Sequence, residues 1–192
     1  MPARNQAALD FLLTRRSRPL KTIVPPVPDR AALQEILTAG VRVPDHGKLE
    51  PWRIIVIERS ALERIARAVT ERGNAKGLEE WKVRGAADVY TDGHLCLCVI
   101  SSPNREAKHP LSEQVLSSAN VCLSLVNAAM AAGWAASWMS GWPTHDHEFA
   151  TEIYGLKEGE TIAGLVFVGS ESSPPPDRPR PDLDRIVSWM AE

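Results

Sequence analysis

The run Leu95-Cys96-Leu97-Cys98-Val99-Ile100, closed by Ser101-Ser102-Pro103, constrains the fold more than any other stretch of this chain. Six apolar residues without alternation, ended by a turn signal, read as a central strand buried on both faces. From Leu111 to Ala132 the pattern predicts the longest helix. Its apolar residues, Val115, Ala119, Cys122, Leu123, Val126, Ala129 and Met130, spread round much of its circumference, so it too is expected to be central. Gly133 is placed to end that helix, and Trp134 to Met139 reads as a strand running into the turn Ser140-Gly141-Trp142-Pro143.

The flanking segments are shorter. Ala7, Ala8, Phe11 and Leu12 have helical spacing, and Pro19 stops that first helix soon after Arg15-Arg16-Ser17. Asp29 is a good N-cap for a second helix with Ala32, Leu33, Ile36, Leu37 and Gly40 on one face. The strand from Trp52 contains Ile54-Ile55-Val56-Ile57, a run apolar enough to be expected buried, and Ser60 with Glu63 forms a capping-box signature for the next helix. Residues 73–93 carry a weak helical pattern interrupted by Gly73, Gly77, Gly85 and Gly93. A short helix from His145 to Tyr154 and a strand from Ile162 to Val168 follow. Residues 171–181 are too proline-rich for helix or sheet, so residues 171–192 read as a semi-extended arm of a single domain spanning 1–192. The apolar spacing of Leu183, Ile186, Val187 and Trp189 predicts that the arm is pinned back onto the body.

Size and charge narrow the function. A chain of 192 residues fits one domain that buries about 70% of its unfolded surface. Its 22 basic and 24 acidic residues give a net charge of −2, without the basic footprint of a nucleic-acid binder. No uninterrupted apolar run approaches the ~18 residues of a membrane span, so no membrane partner is expected. Cys96, Cys98 and Cys122 are odd in number and lie in apolar segments, as free thiols of a cytoplasmic protein would.

The common catalytic motifs are absent: there is no Gly-x-Gly-x-x-Gly, no Walker loop, no Gly-x-Ser-x-Gly and no Cys-x-x-Cys. His145-Asp146-His147 reads as helix-capping polarity rather than a metal site, and Cys96-x-Cys98 as core, so no metal is expected. What stands out is cationic. Arg15, Arg16, Arg18, Arg42, Arg178 and Arg180 sit at element ends or in irregular backbone, where guanidiniums can converge on an anion such as a phosphate. The loop from Gly40 to Trp52, with Arg42 ahead of Pro44 and Asp45, His46, Lys48 and Glu50 between Pro44 and Pro51, is a second site candidate.

These segments together resemble the FMN-dependent nitroreductases, above all their compact bacterial members. Arg15-Arg16-Ser17 resembles the family's Arg-x-Ser signature, and Ala39 through His46 to Pro51-Trp52 its second-helix loop and following strand. Ala131-Ala132-Gly133-Trp134 with Trp138-Met139-Ser140-Gly141 resembles the join between central helix and strand. Glu158-Gly159-Glu160 to Gly164, with Val168-Gly169, resembles the last strand, and Arg178-Pro179-Arg180-Pro181 the basic pair that grips the flavin phosphate.

The resemblance implies an α+β, three-layer fold with a mostly antiparallel sheet between helices, in an intertwined homodimer holding FMN at the subunit interface. It implies that Arg15, Arg16 and Ser17 hold the phosphate and ribityl region, and that Arg178 and Arg180 close over the phosphate. It implies further that Arg42 serves the pyrimidine edge or ribityl chain, that His46 contacts the partner's FMN, and that Ser140, Gly141, Trp142 and Pro143 approach the ring through backbone. Ala131, Ala132, Gly133, Trp134, Ala135 and Ala136 become candidates for nicotinamide-nucleotide contact. No protein nucleophile or acid is required, since the flavin carries the redox chemistry. The implied activity is ping-pong: NADH or NADPH reduces FMN, and a nitroaromatic, quinone or similar electron-poor acceptor is then reduced in the same pocket. A specialised flavin dehydrogenase or dehalogenase of the same fold, or a non-catalytic dimeric binding protein, is the alternative. One departure is plain: many members carry Ser-Ser-x-Asn-x-Gln where this chain has Asp45, His46, Lys48 and Glu50.

Overall fold

The computed structural model describes residues 3–191. Its centre is β3 (Leu95–Ser101), every residue of which is buried, as its unbroken apolar run requires. β3 pairs antiparallel with β2 (Trp52–Glu58) on one side and with β5 (Thr161–Glu171) on the other. The opposite edge of β5 takes β4 (Ala135–Met139), again antiparallel, and the short β1 (Ile23–Val24) pairs further along β5.

Alternation along β3 divides the core in two. Cys96, Cys98 and Ile100 point to a layer made by α3 (Arg59–Ala75), α4 (Glu80–Asp92) and α7 (His147–Tyr154). Leu95, Leu97 and Val99 point to α2 (Arg30–Gly40) and α5 (Leu111–Ala131) on the opposite face. The result is the expected α+β arrangement of an antiparallel sheet between helical layers. α5 is apolar and long enough to pass for a membrane span by composition, yet Val121, Cys122, Leu125 and Val126 are buried against α2 and the sheet. It stops at Gly133, whose φ of +85° is a left-handed value that favours glycine. All three thiols are free and buried, and burial pushes Cys98 and Cys122 up to about 12.

Four expectations need correction. β2 is an outer strand paired only with β3 among the described residues, so of its apolar run Ile57 alone is buried and Val56 is exposed. α3 begins at Arg59 with Glu58 as N-cap and no side-chain cap, because Glu63 pairs with Arg59 (2.9 Å) instead of capping with Ser60. The segment from His145 is two helices, α6 (Trp142–His145) and α7, divided at Asp146, whose carboxylate accepts from Phe149 N (3.3 Å). The arm is not pinned by its apolar end: the single turn α8 (Leu183–Ile186) is exposed, and Trp189 is 93% exposed. The outward helix α1 (Gln6–Thr14) likewise buries none of its residues.

Candidate functional site

α1 ends because Arg15 takes an extended ψ of 143°, and the chain then runs along the outside of β4, where Arg18 N donates to Ala136 O (2.9 Å). The arm returns over the same place. Arg180 donates through Nη2 to Leu13 O (2.9 Å) and through Nη1 to Arg178 O (2.8 Å). Together they enclose a cavity of about 500 Å³ lined by Arg15, Arg16, Ser17, Arg18, Pro19, Ser137, Arg178 and Arg180.

Electrostatically this cleft is built for an anion. Of its five guanidiniums, Arg18 is paired with Glu171 and Arg180 with Asp177 (3.3 Å). Arg15 donates to Ser17 Oγ (3.1 Å), but Arg15 Nε and Arg16 Nη1 are buried without a partner among the described residues. Burial, with Arg18 and Arg180 nearby, holds the Arg15 guanidinium below its ordinary pKa. Unpaired buried donors on a charged group are costly unless an acceptor binds there, and a dianion with several oxygens satisfies them together. Ser137, the one polar side chain of β4, was missed by motif reading. Its signal in the sequence was a serine inside an otherwise apolar strand.

Three residues along β4 from Ser137, about 10 Å at a strand's rise, comes the turn Ser140–Pro143. Gly141 is extended (φ −175°), and a Cβ built on it would meet only Pro143 Cδ at 3.5 Å. Nothing in this chain demands glycine there, so its backbone is free to be approached from outside. Asp146 fixes the turn from behind, pairing with Arg72 (2.9 Å) of α3 and with Lys76 (2.9 Å), the C-cap of that helix; those cations hold its carboxyl well below the usual carboxylate range. Between the turn and α4 opens a second cavity of about 270 Å³, lined mainly by apolar and aromatic residues with Lys82 and Ser140 among them.

The loop after α2 lies elsewhere. Asp45 accepts from Leu49 N (3.1 Å) and Glu50 N (2.8 Å), folding it into a tight turn in which Lys48 (φ 53°) and Glu50 (φ 47°) adopt left-handed backbone. His46 Nδ1 lies 2.7 Å from Glu113 Oε2, and its ring is 3.8 Å from that of His109. Glu113 is in the first turn of α5, whereas the arginine cleft adjoins the strand that follows its far end. At 1.5 Å per residue those ends are about 27 Å apart. Within one chain neither His46 nor Arg42 lines the arginine cleft, and Arg42 is exposed. Of the stretch 131–136, Ala135 and Ala136 are core residues and only Ala131–Gly133 is exposed. A larger cavity, about 840 Å³ between α2 and the open edge of β2, contains none of the predicted site residues.

This geometry can be set beside known proteins. The nitroreductase family profile matches residues 14–170, from the start of the arginine signature to the end of the sheet. The chain belongs to the nitroreductase family. The Escherichia coli (strain K12) protein named "Putative NAD(P)H nitroreductase YdjA" is 30% identical to this family member over 163 residues, 85% of this chain and 87% of that one. A Haemophilus influenzae protein, "Putative NAD(P)H nitroreductase", is 31% identical over 165 residues, covering 85% and 88%. Among solved structures, a nitroreductase-like family protein from Bacillus cereus superposes with a TM-score of 0.79 over 100% of both chains at 19% identity. A nitroreductase with bound FMN from Bacteroides fragilis gives 0.73 over 97% of this chain and 100% of that one, at 18% identity. At those identities the two structures speak for the fold alone.

Proposed function

We propose that this nitroreductase-family protein is an FMN-dependent, NAD(P)H-using oxidoreductase that works as a homodimer. One observation carries the cofactor: buried, unpaired guanidinium donors on Arg15 and Arg16 inside a cleft closed by Arg178 and Arg180. The phosphate of FMN fits that donor set, with Ser17 and Ser137 beside it. Gly141, whose backbone is open, in the turn steadied by the Asp146 network, would face the flavin ring. Bound FMN supplies hydride chemistry, taking electrons from NADH or NADPH and delivering them to a nitroaromatic, quinone or similar acceptor by a ping-pong sequence. The protein's part is binding, orientation and exclusion of water.

The homodimer is supported by surfaces that one chain leaves bare. Leu12 and Leu13 of α1, Val115, Leu116 and Leu123 of α5, and Ile186, Trp189 and Met190 of the arm are each exposed. The length of α5 between His46 and the arginine cleft supports a crossed arrangement, in which His46 serves the flavin of the second subunit. We place the protein in the cytoplasm, where three reduced thiols and NAD(P)H coexist.

Titration of the purified protein with FMN, followed by flavin fluorescence, tests the reading. Saturable binding at micromolar concentration or tighter is expected; a colourless protein that ignores FMN would overturn it.

A further inference from the structure

The outward face of α5 suits neither water nor lipid. Glu113 is the single charged residue of this 21-residue helix, so the side turned away from α2 and the sheet lacks the lysines and glutamates of a solvated face. Leu116 is 64% exposed and Leu123 42%. The same face carries two amides, Asn120 and Asn127, which a lipid surface would leave without partners. Asn127 Oδ1 is already buried and accepts no hydrogen bond among the described residues. An amide carries donor and acceptor together, so a second asparagine satisfies both ends of the first.

The order of these residues points to what brings that second amide. Leu116, Asn120, Leu123, Asn127 and Met130 follow one another at steps of four, three, four and three, the spacing of a helix–helix seam with leucine or methionine at one position and asparagine at the other. The series runs apolar, amide, apolar, amide, apolar, and it reads the same in both directions about Leu123. Such a stripe is self-complementary when a second copy of it is laid down reversed, which is what an isologous two-fold contact does.

We propose that α5 packs antiparallel against α5 of a second copy of this chain, about a two-fold axis at Leu123, with Asn120 of each subunit bonded to Asn127 of the other. This rests on the homodimer reading above and adds the register of its contact. Leu123 meets its own copy, Leu116 meets Met130, and the amide pairs fix one register where leucines alone would allow sliding. The same register sets Glu113, which lies 2.7 Å from His46 Nδ1, against the partner subunit's Gly133, at the end of the helix that β4 and the arginine cleft follow.

Helices packed about 8–10 Å apart bring facing Cα atoms within disulfide reach, and the three native thiols are buried, so introduced cysteines read the register. Oxidised Leu123→Cys should run as a covalent dimer on a non-reducing gel, Leu116→Cys should stay a single chain, and Leu116→Cys/Met130→Cys should cross-link. If the wild type is dimeric by light scattering, failure of Leu123→Cys to cross-link, or cross-linking of Leu116→Cys alone, overturns the seam and leaves the homodimer standing. A monomeric wild type overturns both. Sedimentation on dilution reads the amide pairs. Asn127→Ala should raise the dimer dissociation constant about tenfold or more, because it strands Asn120 of the partner subunit, while Asn120→Ala/Asn127→Ala should dimerise at least as tightly as the single variant. Losses that add would refute the pairing.

Discussion

At the residue scale, the cleft turns on how arginine charge is or is not balanced. Arg53 shows the balanced case: its guanidinium meets the Glu160 carboxylate through two bonds of 2.9 and 2.7 Å, and Glu160 also accepts from Lys157 N (2.8 Å). Arg53 thereby lowers the Glu160 pKa to about 2 from an ordinary 4.5. A depressed carboxylate pKa stabilises the fold fully above about pH 4.5, and that contribution is lost as pH falls towards 2. Glu160→Gln should therefore cost about 1.5–3 kcal/mol at pH 7 and flatten the pH dependence of stability between 4.5 and 2. Urea unfolding at pH 7 and pH 3 checks both. Arg15 and Arg16 were legible as candidates because a signature names them. The role of Asp45, flagged only as part of a candidate loop, was not, since it accepts two backbone N–H groups across a turn and such work leaves no pattern in the chain.

At the scale of elements, those with the clearest periodicity were legible: β3, α2 and α5 fall where their apolar spacing put them. α4 was blurred because its stripe of Trp81, Gly85 and Val89 borders a cavity instead of a core, which breaks the apolar rhythm. α1 and the arm misled in the opposite way. Their apolar spacing is real, but within one chain it meets nothing, because the partner for such a stripe can be another molecule. The arm is tied to α1 through Arg180 and Leu13 O rather than by apolar contact. If the arm closes the phosphate site, Arg180→Ala should weaken FMN binding by about 1.5–3 kcal/mol, measured by fluorescence titration, with little change in Tm. An unchanged dissociation constant would remove the arm from the site.

At the scale of the whole molecule, the exposed leucines of α1 and α5 and the bare arm predict an obligate dimer. Leu116 is 64% exposed, so a Leu116→Asp change leaves the core of the chain intact and places charge on the face we assign to the interface. Light scattering should report a wild-type dimer and a variant shifted towards monomer with reduced flavin retention. A monomeric wild type would refute the crossed site. The sequence by itself determined the class of fold, since an unbroken apolar strand and a helix apolar round much of its girth must be buried from both sides. It also determined the chemistry on offer, because guanidiniums at element ends suit a phosphate wherever they meet. Only the tertiary structure decided which of them meet. Arg15, Arg16, Arg18, Arg178 and Arg180 converge because a backbone bond lays one segment along β4 and the arm folds back over it. His46 is held at the other end of α5 by Glu113, and Arg42 stands exposed outside the cleft lining; separation through space is a property that spacing along a chain does not encode.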